Sequence, residues 1–181
     1  MIWLSSSAIA RLRDRLQAHG RRPSIVSPEG SASPEEALTL NTVAEYGPLC
    51  EAMYLMMNAD GDVGTAEREV LKGALRNLSG DVIRGAQIDS MLADAEKRVA
   101  TEGRDARMKD VAAALHEDKP RAEVAFVLAA AIAFADSAIA DEENDTLNSL
   151  ADALGIDETR ANELLDDVEK DLAGQGAETQ G

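Results

Sequence analysis

A chain of 181 residues with 45% apolar and only 3% aromatic side chains can close one substantial core, and two would be a stretch. Its 34 acidic and 18 basic side chains give a formal net charge of -16. So acidic a body repels nucleic acid, whose affinity for proteins rests on phosphate neutralisation by Lys and Arg, and favours cations or basic partners. Ala and Leu dominate and β-branched runs are absent, so the expected fold class is all-α, a compact multi-helix bundle.

Residues 3–19 read as a helix, with Ile9, Leu12 and Leu16 on one face and Trp3 and Leu4 at its start. Residues 1–28 hold five arginines against one acid, Asp14. Three readings fit this segment: docking on the acidic body, lying as an amphipathic helix on an anionic membrane surface with Trp3 at the interface, or cleavage as a targeting segment. The last is disfavoured, because no continuous apolar core precedes a small-residue cleavage site. Residues 20–33 are rich in Gly, Pro and Ser and lack apolar periodicity, so they form a linker that closes an N-terminal unit of residues 1–33.

Ser33, Pro34, Glu35 and Glu36 look like a helix start, with Ser33 as N-cap and Pro34 at the first helical position. That helix is expected to run to about Glu45, where Gly47 and Pro48 punctuate it. A second helix then begins at Pro48 and carries Leu49, Met53, Met56 and Met57 to an acidic turn. After the turn, Val70, Leu71, Ala74, Leu75 and Leu78 keep helical spacing until Ser79 and Gly80. Further helices are expected over about 86–101, with Ile88, Met91, Leu92, Ala95 and Val99 inward, and over 105–117, with Met108, Val111, Ala112 and Leu115 inward. The segment of about 121–135 is nearly all apolar, which marks it as the buried centre of the bundle, yet it falls short of the roughly 20 residues of a membrane span. After a second acidic turn come Leu147, Leu150, Ala151 and Leu154, then Gly155 as a stop. Asp157 caps a last helix carrying Ala161, Leu164, Leu165, Val168 and Leu172. The helical domain thus spans residues 34–173, and 174–181 is a polar, Gly-containing tail expected to be disordered.

Cys50, the single cysteine, cannot form an internal disulfide and suits a reducing compartment as a small buried hydrophobe. A cytoplasmic location follows, with peripheral contact at the inner face of the membrane through residues 1–22 as the variant that the basic helix allows.

The acidic turns repeat. Ala59, Asp60, Val63, Glu67, Leu71 and Leu78 recur 76 positions later as Ala135, Asp136, Ile139, Glu143, Leu147 and Leu154, the signature of a duplicated helix-turn-helix unit. The first copy reproduces part of an EF-hand loop: Asn58 and Asp60 at the third and fifth positions, Gly61 at the sixth, Val63 at the eighth and Glu67 at the twelfth. Its first position falls on Met56, which offers no oxygen. The second copy places Ile132 and Phe134 at the first and third positions and Ser137 at the Gly position, so neither turn is a true EF-hand. What remains are two oxygen sets, Asp60, Asp62 and Glu67, and Asp136, Asp141, Glu142 and Glu143. Either could hold a hard divalent cation, calcium, magnesium or manganese, weakly and with water completing the shell. Plain helix capping competes with this, since helix N-termini attract carboxylates. Capping explains Glu67 and Glu143 better than Asp60 and Asp136, which close the preceding helices. His19 and His116 lie far from the turns in sequence, which disfavours a zinc site.

The doubled pattern, Ala59 to Leu71 and Ala135 to Ile156, resembles the TerB tellurite-resistance family over about residues 36–173. The resemblance implies an all-helical domain with no established catalytic reaction, acting as an adaptor among other tellurite-resistance and stress-response proteins in metal-linked, membrane-associated complexes. It carries over Asp60, Glu67, Asp136 and Glu143, while Ser137 departs from the family's Gly and puts the second turn in more doubt than the first. Two other classes stay open: a structural interaction module that works through the basic N-terminal helix, and an enzyme, for which neither a nucleophile–base motif nor a Gly-rich phosphate loop is visible.

Overall fold

Two stretches, residues 49–57 with Glu51 as their one charge and the wholly apolar 124–133, have almost no polar face to offer water, so each must sit at the centre with its neighbours around it. The computed structural model describes residues 4–19, 33–61, 63–134 and 141–178, which form eight α-helices and no strand. The two runs belong to α2 (Pro34–Met57) and α6 (Lys119–Ala133), which pack against each other as the central pair. Around them lie α3 (Thr65–Leu78), α4 (Gly85–Glu102), α5 (Arg104–Leu115), α7 (Asp141–Leu154) and α8 (Glu158–Glu178). Every residue from Leu49 to Met57 is buried, and so is every residue from Val124 to Ala133. The stripes expected of the outer helices turn inward as their spacing requires: Leu71, Leu75 and Leu78 on α3, Ile88 and Leu92 on α4, Leu115 on α5, Leu147 and Leu154 on α7.

The helix starts are chemically marked. Ser33 caps α2 in a reciprocal box, its Oγ accepting from the Glu36 N–H at 3.2 Å while Glu36 accepts the Ser33 N–H at 2.7 Å. Asp118 caps α6 by accepting the Arg121 N–H, and Asp157 caps α8 by accepting the Arg160 N–H. Gly103 alone joins α4 to α5, with φ at +87°, a backbone state that a side chain would strain. That abrupt junction places Arg104 at the first position of α5.

Two boundaries differ from those expected. Gly47 and Pro48 do not divide the chain, because α2 runs unbroken from Pro34 to Met57 with Pro48 inside it. Proline ordinarily pushes the preceding residue out of the helical region by a clash between its Cδ and that residue's Cβ. Gly47 has no Cβ, and the buried stretch that follows Pro48 holds the helix in place. The guanidinium of Arg121 also donates to the carbonyl of Glu45, just before the proline. At the other end α8 extends to Glu178, past Gly174, where the tail was expected to begin. One exposed Gly costs only about 1 kcal/mol relative to Ala, too little to end a helix by itself.

The N-terminal helix α1 (Ser6–His19) lies on α3 and α6. Leu4, Ile9, Leu12 and Leu16, the face that would meet a membrane, are buried in the common core. Trp3, the linker 20–32 and residues 179–181 lie outside the described residues. No helix among the described residues is long and apolar enough to cross a membrane.

Candidate functional site

The first acidic turn begins where α2 runs out of helical hydrogen bonds. The Asn58 N–H still reaches Tyr54, and the Ala59 N–H turns back to Met56 at 3.0 Å. Gly61 then takes φ of +88°, which reverses the chain and explains why the motif needs a glycine there. Asp60 is exposed beside it. Gly64 is the N-cap of α3, and its N–H donates to Glu67 Oε2 at 2.8 Å. Glu67 is therefore a helix-start residue whatever else it does, as capping chemistry predicts. Of the second turn, Asp141, Glu142 and Glu143 form the first turn of α7, next to the positive end of its dipole. Asp62 and Asp136 lie outside the described residues, as does the rest of the second turn, residues 135–140.

Spacing could not tell whether the two turns meet. What the described residues show is a link through Arg104 between the start of the first turn and the helix that follows the second. The Arg104 Nη1 donates to the carbonyl of Ala59, at the start of the first turn, at 3.1 Å. Its Nη2 donates to the hydroxyl of Thr146 on α7, and that hydroxyl donates to the carbonyl of Glu142 at 2.7 Å. One guanidinium thus ties the close of α2 to the opening of α7. Beside it lies a cleft of about 460 Å³, where Arg104 and Lys109 face Asp105, Glu142 and Asp145. Two cations against three carboxylates leave that cleft only slightly acidic. Among the described residues, no group of three or more His, Cys, Asp or Glu side chains is gathered closely enough to hold a metal ion.

A second charged constellation escaped the sequence reading. Glu51 sits in the middle of the buried run of α2 with its side chain 5% exposed. Arg107 of α5 donates to it from Nε at 2.7 Å and from Nη2 at 3.2 Å, and Arg98 of α4 donates from Nη2 at 2.9 Å. The forked geometry matches a carboxylate to a guanidinium edge, and hydrogen bonding to Glu51 is the main cause that raises the Arg107 pKa. The visible sign was a lone acid inside an otherwise apolar stretch, since a buried charge is tolerated only when paired. Next to it, Cys50 is buried and its thiol is pushed up to about 12, first by burial and then by the charge of Glu51. At that value it is neither a thiolate nucleophile nor a ready metal ligand at neutral pH.

Against known proteins, a family model described as Tellurite resistance protein TerB matches residues 49–166. That span runs from the buried half of α2 into α8 and includes both turns, Arg104 and Glu51. No curated protein and no solved structure matches the chain.

Proposed function

The chain belongs to the TerB tellurite-resistance family, and from that premise we propose that it is a non-enzymatic adaptor of the stress response whose acidic turns bind a divalent cation or a basic partner. The observation that supports this reading is the bridge from Arg104 to Ala59 and Thr146, which ties the start of the first turn to the helix that follows the second. The donor chemistry fits a hard cation such as calcium, magnesium or manganese, because carboxylate oxygens are what such ions take. The ligands would come from Asp60, Asp62 and Glu67 on one side and Asp136, Asp141 and Glu143 on the other. Glu67 already gives Oε2 to the Gly64 N–H, so it would serve as a shared ligand. Water would complete the shell, and a weak, exchangeable site follows.

Titration of the full chain with calcium, magnesium and manganese tests the reading. A ligand of the folded state at a hundredfold excess over Kd stabilises by about 2.7 kcal/mol. The expected outcome is a rise in melting temperature together with amide shifts centred on Asp60 and Asp141. Absence of both with all three metals would remove the cation half and leave the basic partner. The alternative, in which residues 1–22 lie on a membrane surface, requires Leu4, Ile9, Leu12 and Leu16 to leave the core where they are buried. Flotation of the full chain with anionic vesicles measures it directly.

A further inference from the structure

Two stretches outside the residues matched by the family model clasp each other: α1, and the part of α8 beyond residue 166. The backbone N–H and the hydroxyl of Ser5 both donate to Asp171, at 2.8 and 2.7 Å. The Ser5 Oγ also accepts the Ala8 N–H at 3.0 Å. Ser5 therefore caps α1, and Asp171 adds a carboxylate at the positive end of that helix. Arg11 approaches the same carboxylate at 3.7 Å, and Arg15 reaches Glu123 of α6 at 3.4 Å. Between these polar contacts Ile9, Leu12 and Leu16 enter the core.

The fit is incomplete along one edge. A cleft of about 510 Å³ opens between α1 and α8, with an apolar floor that includes Ala8, Val127 and Leu164 and a charged rim that includes Arg11, Lys170 and Asp171. A methyl group at Ala8 stands where a larger side chain has room.

We propose that the groove walled by α3, α6 and α8 is a docking site for a basic amphipathic helix of another protein, and that α1 is its resident competitor. The groove supplies what such a helix needs: an apolar floor, a carboxylate for its N-terminus at Asp171, and a second carboxylate at Glu123 for an arginine further along. The underfilled edge gives an incoming helix its advantage, since a bulkier residue in place of Ala8 buries surface that α1 leaves open. A second copy of the chain lacks that advantage. Its α1 is identical, and a tethered helix enjoys an effective concentration of about millimolar, which an equal competitor at micromolar concentration does not displace. An anionic lipid surface is opposed by the net charge of -16.

The test is a fluorescein-labelled peptide of residues 4–19 carrying Ala8→Leu, titrated against the full chain and followed by anisotropy. Saturable binding to the wild-type chain is expected. Leu12→Asp in the full chain weakens its own α1, opens the groove for a larger fraction of the time and should tighten apparent binding at least tenfold. Arg15→Glu, an exposed change that loosens α1 without touching the core, should shift binding the same way by a smaller factor, and it stands in if Leu12→Asp fails to fold by circular dichroism. Asp171→Arg added to the Leu12→Asp background, where the resident α1 no longer competes through the same carboxylate, should weaken binding at least tenfold. Failure of the peptide to bind any of these chains, or equal binding with and without Asp171→Arg in that background, overturns the proposal. Flotation of the wild-type chain with phosphatidylglycerol vesicles, undiminished by excess peptide, also overturns it, because α1 would then belong to lipid.

Discussion

Glu51 and Glu123 are each gripped by two arginines, but their surroundings are unlike. The Glu51 side chain is 5% exposed and joins α2 to Arg98 of α4 and Arg107 of α5, three residues that all lie within the family-matched span. The Glu123 side chain is 23% exposed and joins α6 to Arg160 of α8 and to Arg15 of α1, the helix outside that core. A charge in low dielectric depends wholly on its partners, whereas a charge near water can trade a partner for solvent. The same chemistry is therefore a fixed joint at Glu51 and a releasable one at Glu123, and releasability is what an exchangeable α1 requires.

The largest effect expected from breaking either joint is Arg107→Met. It strands the most deeply buried carboxylate among the described residues with Arg98 alone, whose own side chain is 37% exposed. Removing one partner of a buried pair costs about 3–5 kcal/mol, read as a lowered urea midpoint at unchanged slope. Glu51→Leu should cost less, because Arg107 retains Glu102 at 2.9 Å and Asp110 at 2.7 Å near the surface. Equal losses for the two variants would show that the arginine, not the carboxylate, is the group that burial penalises.

Arg104→Met comes next and lies between the two joints. It removes two hydrogen bonds that link the start of the first acidic turn to α7, worth about 1–1.5 kcal/mol each. Part of that loss is offset because the Arg104 Nε is buried without a partner and disappears as well. The local readout is sharper than the global one: amide exchange should quicken around Gly61 and Glu142 while the amides of α6 stay protected. Uniform quickening would mean that Arg104 supports the whole bundle rather than that link.

The sequence made most helices legible, because their burial follows a period that apolar residues report one by one. Its failures share a cause. Pro48 reads as a break because proline alone argues for one, while the relief supplied by Gly47 depends on a pair and on what the next nine residues bury. Arg104 was invisible since nothing in a linear pattern says which of several arginines reaches which carbonyl, and Ala59 is 45 positions away. Glu51 was more nearly legible, as a charge interrupting a run that must be buried. For the acidic turns, capping foretold the role of Glu67, but the Arg104 bridge from Ala59 to Thr146 is a property of how α2, α5 and α7 cross, which periodicity does not encode.

The smallest effect belongs to the releasable joint, and its sign under pH is fixed. The Glu123 carboxyl is held below its ordinary value of 4.5, chiefly by hydrogen bonds from Arg160, with burial opposing and the charges of Arg160, Arg15 and Lys119 assisting. A carboxyl whose folded pKa lies below its unfolded one adds stability that is fully present above the unfolded value and disappears as pH falls through the folded one. The Glu123→Gln chain should therefore be less stable than wild type at pH 7 by under about 1 kcal/mol, as suits a partly exposed pair. The gap should close as pH drops below 4.5, where the wild-type carboxyl takes up its proton. Arg160 keeps Glu163 at 2.8 Å in either protein, which limits the loss further. Denaturation of both chains at pH 7 and pH 3 measures it, and a gap as wide as that of Arg107→Met would mean that Glu123 is as fixed a joint as Glu51 and that α1 does not let go.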